Sequence, residues 1–159
     1  MRVLEVSGIV VPVPTGWEAR GSVPAGGMEG QPDGSVAYPY VHLANFALPS
    51  GRAPYGGGVV EHMGADDAFV ALLEFAPSSA HTRLFGARPP RRLSASDFSS
   101  AQLQRTLAGQ LGVQRFFSVA DRALCCYVVL GGSRALRHAV ADVSRVLAGL
   151  KVRAAVEMA

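Results

Sequence analysis

The feature that most constrains the fold is a pair of apolar runs in the second half of the chain. Gln114-Arg115-Phe116-Phe117-Ser118-Val119 and Ala123-Leu124-Cys125-Cys126-Tyr127-Val128-Val129-Leu130 flank a short polar tip at Ala120-Asp121-Arg122. Aromatic and β-branched runs on either side of a tight polar tip predict a β-hairpin. Side chains alternate along a strand, so Leu124, Cys126, Val128 and Leu130 share one face and Cys125, Tyr127 and Val129 the other. Both sets are apolar, whereas an antiparallel strand with one wet face alternates apolar and polar residues. The returning strand is therefore expected to be central and covered on both sides. Phe116 and Phe117 extend the argument, because neighbouring strand residues place one ring on each face.

Gly131-Gly132 ends that strand, and Ser133 is placed to cap a helix. Leu136, Ala139, Val140, Val143, Val146, Leu147 and Leu150 follow in steps that form one helical stripe. Arg137, Asp142, Ser144 and Arg145 fall largely off it, and His138 is expected in solvent on the polar side. A helix with one apolar stripe needs a surface to bury it, and the hairpin's sheet is the nearest.

Earlier segments supply the rest of the sheet. Val3–Val13 is a strand candidate broken near Gly8 and stopped by Pro12 and Pro14. Trp17, after the Pro14-Thr15-Gly16 turn, is read as a core anchor. Tyr38–Leu48 is a second strand, with Asn45 interrupting an apolar face as a rim residue or a buried group with a dedicated partner. Ala68–Phe75 is a third. Gly21–Gly34 reads as a long loop rich in Gly and Pro. Residues 76–110 are irregular, with Ser96-Asp97 placed to cap a short helix containing Leu103 and Leu107, and Lys151–Ala159 is a short tail. The fold class that follows is α+β. It is a single domain over residues 1–159, a mostly antiparallel sheet with helices packed on its faces and the C-terminal helix on the sheet. The second face is assigned to residues 76–110, whose Leu84, Phe85, Leu93, Phe98, Leu103 and Leu107 themselves need burial.

Composition narrows the function classes. No apolar run approaches the roughly 18 residues that span a bilayer. The sequence opens on the strand-like Met1-Arg2-Val3-Leu4-Glu5-Val6, without a signal-peptide core or a lipidation cysteine, so a cytoplasmic location is expected. Charge is uneven: residues 1–76 hold three arginines against eight acids, and residues 77–159 hold twelve bases against four acids. Fourteen of the fifteen bases are arginine, which points to a GC-rich bacterial genome rather than to phosphate binding. Arg83, Arg88, Arg91 and Arg92 cluster in the irregular segment as the candidate partner-binding residues. They lack the aromatic interleaving of a single-strand nucleic-acid binder, so nucleic acid is not the expected partner.

Catalytic and metal signals are thin. Gly56-Gly57-Gly58 precedes Val59 and Val60 where a phosphate loop needs Lys and Ser or Thr. Glu61, His62, Asp66 and Asp67 are the densest run of ligand types, but Glu61 and His62 diverge on a turn, which favours a solvated reading. Cys125 and Cys126 are adjacent, face opposite ways, and read as buried reduced thiols rather than a nucleophile or a redox pair. No cofactor, metal or catalytic residue is assigned.

The opening Val11-Pro12-Val13-Pro14-Thr15-Gly16-Trp17 and the closing Val143-Ser144-Arg145-Val146-Leu147-Ala148-Gly149-Leu150 resemble the PsbP-like fold. That family includes the photosystem extrinsic subunit, a Ran-binding nuclear import factor, and small bacterial lipoproteins and secretion chaperones. The resemblance implies an antiparallel sheet sandwiched by helices and a binding role without catalysis; it carries over no site residues. The expected function is a non-catalytic, protein-binding adaptor or chaperone-like domain acting on a protein partner or as a homo-oligomer. The alternative is a small-ligand-binding or enzymatic domain with a pocket under the Gly-rich loops.

Overall fold

A computed structural model describes residues 2–23 and 38–154. The α+β class and the antiparallel sheet are as expected. Five strands form the main sheet in the order β3 (Glu18–Ser22), β4 (Tyr40–Ala44), β5 (Ala68–Glu74), β7 (Arg122–Leu130) and β6 (Leu111–Val119), all antiparallel. A smaller sheet joins β1 (Arg2–Val6), β2 (Ile9–Val13) and β8 (Lys151–Val152) in that order. Two helices, α1 (Ser133–His138) and α2 (Val140–Gly149), precede β8. All nine residues of β7 are buried, which places the two-sided apolar strand inside the sheet.

The hairpin closes at Ala120 and Asp121, both with positive φ, between the paired Val119 and Arg122. Two left-handed residues in a two-residue loop give the turn whose twist matches the flanking strands. Ser7-Gly8 does the same between Val6 and Ile9. Val3–Val13 is therefore a hairpin of two strands rather than one broken strand, and Pro12 does not stop it. Counting pairs from the turn puts Val3 opposite Pro12 at a non-hydrogen-bonded position, where a missing N–H faces away from β1.

Several other expectations shift. The second strand shortens to Tyr40–Ala44, and Asn45 takes the dedicated partners: its Oδ1 accepts from Ala68 N at 2.8 Å and its Nδ2 donates to Asp66 O at 3.0 Å. Gly132, not Ser133, stands at the helix cap. The helix is interrupted at Ala139 into α1 and α2, although the buried stripe runs through both. Ser94 rather than Ser96 begins the turn at Ala95–Asp97, its N–H donating to Asp97 Oδ2 at 2.8 Å. Leu103 and Leu107 lie outside that turn and outside the following one at Ser100–Gln102. Lys151–Val152, expected in a tail, pairs with β2 instead. Of the Gly21–Gly34 loop, Gly21 and Ser22 belong to β3, and 24–34 lie outside the described residues.

The main sheet has two differently built covers. On the first face, Val70, Leu72, Leu124, Cys126, Val128 and Leu130 pack with Val143, Val146 and Leu147 of α2, Ile9 and Val11 of β2, and Trp17, the expected anchor. On the second, Phe69, Ala71, Leu73, Cys125, Tyr127 and Val129 pack under loops. Residues 76–110 contribute Leu103 and Leu107 there, and Phe85 meets the rings of Phe75 and Phe116. Leu93 and Phe98 instead join the first face, and Leu84 is exposed. The remainder of the second cover is residues 46–63, with Phe46, Leu48, Tyr55, Val59, Val60 and Met63. Phe117 and Phe116 fall on opposite faces as expected.

Polar groups fix both covers. Arg122 is buried in a two-pronged pair with Glu74, Nε to Oε2 at 2.8 Å and Nη2 to Oε1 at 2.6 Å, and its Nη1 donates to Arg153 O. Such a pair leaves few unmet bonds, which is what a buried charge requires. At the outer edge of β6, Ser99 exchanges both backbone bonds with Gly112, Gln114 N donates to Gln102 Oε1, and Ser118 N donates to Ala87 O. Arg115 holds Asp97 and Gln102 from the same edge. The insertion thus occupies an edge that would otherwise offer a template for strand pairing.

Candidate functional site

The second cover leaves a half-open cavity of about 290 Å³. Its roof is the Gly-rich loop, through Ala53, Tyr55 and Gly57; Val60 and Glu61 form one side, and Gln104, Arg105 and Gln110 the other. Tyr127 and Val129 of β7 form the floor. A cavity therefore does lie under the Pro54–Gly58 loop.

Backbone conformation and one histidine hold the roof. Gly56 has φ of 90°, and a Cβ there would come within 2.6 Å of the Phe69 ring, so only glycine lets the loop lie this close to the sheet. His42, buried on β4, lies between the rings of Tyr40 and Phe69. Its Nδ1 accepts from Arg52 Nε at 3.1 Å, so the ring proton sits on Nε2 and is donated to Pro54 O at 2.8 Å. One neutral imidazole thereby fixes both ends of the turn that enters the roof. Burial, opposed by the Pro54 bond and aided by the Arg52 charge, lowers its pKa to about 4. The imidazole stays uncharged at neutral pH.

The lining is amphipathic. Tyr55 and Tyr127 meet edge to face with centroids 5.4 Å apart. The Tyr127 hydroxyl accepts from Gln104 N at 2.7 Å, which ties the far wall to the floor. Burial raises both phenols, Tyr55 to about 12, so both are neutral hydrogen-bonding groups. Glu61 is held at the mouth by Gly58 N, which donates to its Oε2 at 2.7 Å, and its Oε1 stands 3.6 Å from Arg105 Nη1. Gln110 is almost fully buried; its Nε2 donates to Val60 O at 2.8 Å, and its Oε1 has no hydrogen-bond partner among the described residues.

The candidates named from sequence fall elsewhere. Arg83, Arg88, Arg91 and Arg92 are all exposed and none lines this cavity. Arg91 donates to Leu150 O at 2.8 Å beside a smaller depression of about 230 Å³ formed with Pro89, Val119, Lys151 and Val152. Glu61 and Asp67 each accept from a nearby backbone N–H, and Asp66 meets Arg134 and His138, an exposed pair. No group of three metal-ligating side chains converges among the described residues. Both cysteines are buried free thiols; burial pushes Cys125 to about 11 and Cys126 higher still.

Sequence reasoning missed Gln104, Arg105, Gln110 and the structural role of His42. His42 is one polar residue in an apolar strand, a pattern that signals a dedicated buried partner. Gln110 carries no comparable signal, since its partner is 50 positions away. Comparison with protein-family models, curated proteins and solved structures gives no match in any of the three.

Proposed function

We propose that this chain is a non-catalytic small-ligand-binding domain that takes its guest between the Gly-rich loop and the second face of the main sheet. One observation carries the reading: the cavity of about 290 Å³ is lined by a buried glutamine whose carbonyl oxygen has no partner among the described residues. A buried acceptor left unmet costs about 1–3 kcal/mol, which singles out this wall of the cavity. The walls have the composition of a binding site, mostly apolar and aromatic with a few placed polar groups. A binding role without catalysis also agrees with what the resemblance to the PsbP-like fold implies.

Ala53 is exposed and lines the mouth, so Ala53→Phe fills the cavity at little cost to the core. Ligand-observed NMR against a fragment library should give hits with the parent protein that disappear with Ala53→Phe, while melting is unchanged. Identical hits in both proteins, or none in either, would sink the reading.

A protein-binding adaptor is the second reading, supported by the exposed arginines. Both sheet faces are covered by the chain itself, so such binding would run through Arg83, Arg88 and Arg92 rather than through an apolar face. Replacing those three together by Ser should then release a co-purifying protein without moving the melting temperature.

A further inference from the structure

A second hollow, apart from the cavity, lies beside β8. Its walls, Pro89, Val119, Leu150 and Val152, are apolar, and Arg91 and Lys151 complete the lining. Exposed Arg83, Arg88 and Arg92 continue the positive charge along the segment that forms one wall. Two ties lay that segment across the end of β6 and against β8: Ser118 N donates to Ala87 O at 3.2 Å, and Arg91 Nη1 donates to Leu150 O at 2.8 Å. None of these five cations meets a carboxylate among the described residues. Asp121, the acid at the hairpin tip next to Val119, is taken by His81 at 2.7 Å.

β8 also keeps an unpaired edge. Val6 and Ile9 bond each other across the Ser7-Gly8 turn, so Val10 turns its peptide groups towards Lys151. Arg153 N donates to Gly8 O at 2.9 Å. Val152, between Lys151 and Arg153, therefore turns its N–H and C=O away from β2, and neither has a partner among the described residues. The Leu150 carbonyl turns the same way, and it is the one that Arg91 fills.

We propose that this hollow docks an acidic segment of a partner protein. One apolar side chain of the segment enters the hollow, its peptide groups exchange two bonds with Val152, and flanking carboxylates meet the arginines and Lys151. This rests on the adaptor reading above and is independent of the cavity. Backbone bonds at a strand edge with a pocket for one side chain are a recurrent way to hold an extended peptide. A volume of about 230 Å³ takes one side chain, since about 150 Å³ holds benzene. Arg83, Arg88 and Arg92 stand outside the hollow, where a small anion inside it would leave them unused. No aromatic ring lines the hollow to stack a nucleic-acid base.

Fluorescence anisotropy with a short labelled peptide, glutamates around a central leucine, tests this. The peptide should bind, and serine in place of the leucine should weaken it about tenfold. Arg88→Glu and Lys151→Glu, both at exposed positions, should each weaken it about tenfold with melting unchanged. Arg137→Glu makes the same charge change on α1, at the opposite end of β7, and should leave binding within about twofold. The acidic-segment assignment fails if the peptide does not bind at about 1 mM, if serine serves as well as leucine, if all three variants weaken binding equally, or if oligothymidylate binds more tightly than the peptide. Release of a co-purifying protein by the triple arginine replacement would then keep the adaptor reading with a partner of other chemistry; no release would remove both.

Discussion

The two faces of the main sheet are made by neighbouring residues of the same strands, yet they are covered in different ways. The first is covered mainly by regular elements, α2 and the β1–β2 hairpin, joined by Leu93 and Phe98 of the insertion. Loops lie on the second, and their approach to the sheet is set by single contacts such as His42 to Pro54 and Gly56 to Phe69. Loop cover touches the sheet at a few points and leaves space between them, and the cavity lies in that space. A cavity and a helix-covered core are thus divided between the two sides of one strand, β7.

The comparison breaks most severely on the closed side. Val128 is fully buried among first-face residues, so Val128→Asp places an unpaired carboxylate there at a cost of about 5 kcal/mol, enough to unfold a marginally stable domain. Circular dichroism should show loss of cooperative melting; a parent-like melting curve would mean that this face is not tightly closed.

On the open side the expected lever is acid. The folded protein keeps His42 neutral down to about pH 4, while the unfolded chain takes up the proton near 6.5. Stability from the neutral ring is complete above pH 6.5, falls as pH drops below it, and is lost by about pH 4. The amount is roughly 3 kcal/mol. Urea unfolding at stepped pH should show this slope in the parent and not in His42→Leu. An unchanged slope in the variant would assign the acid sensitivity to other groups.

The adjacent cysteines sharpen the comparison without mutation. Cys126 faces the helices and Cys125 faces the loops beside Tyr55. Both should react slowly with a thiol reagent in the native state, but Cys125 about tenfold faster, a difference of about 1.4 kcal/mol in opening. Mass spectrometry of partly labelled protein gives the ratio, and equal rates would mean that both faces open together.

The smallest effect compares Val128→Ala with Val129→Ala. Truncation in the closed face should cost roughly 2 kcal/mol and on the cavity floor about 1, since Val129 borders space already unfilled. Equal costs from denaturant melts would remove the packing distinction.

Where the sequence was readable follows the same division. The two-sided apolar pattern of β7, the stripe through Val143, Val146 and Leu147, and Trp17 announce the first core, because periodicity is a local property. The candidate site was readable only in outline, as a pocket under the Gly-rich loop. His42 meets Arg52 and Pro54 through a loop, Gln110 reaches Val60, and Glu74 finds Arg122 across the sheet. None of these pairings has a fixed spacing, so each is decided by the fold rather than by neighbours in the chain. Pro12 and Ser133 misled for a related reason. A proline on the unpaired side of a strand and a serine one place inside a helix are identical in sequence to a strand breaker and a cap.

The placement of β8 on β2 has a consequence for synthesis. Ile9 pairs with Val152, and α2 packs on the same strand. On the ribosome the β1–β2 hairpin emerges early, while α2 and β8, which bury its apolar face, are translated more than a hundred residues later. The five-stranded sheet likewise waits for β6 and β7, which fill positions beside β5. Nascent chains stalled before residue 111 should therefore be protease-sensitive throughout, and folding should be complete only once α2 and β8 have emerged, in a single late step that places a premium on holding Ile9, Val11 and Val13 away from other chains until then.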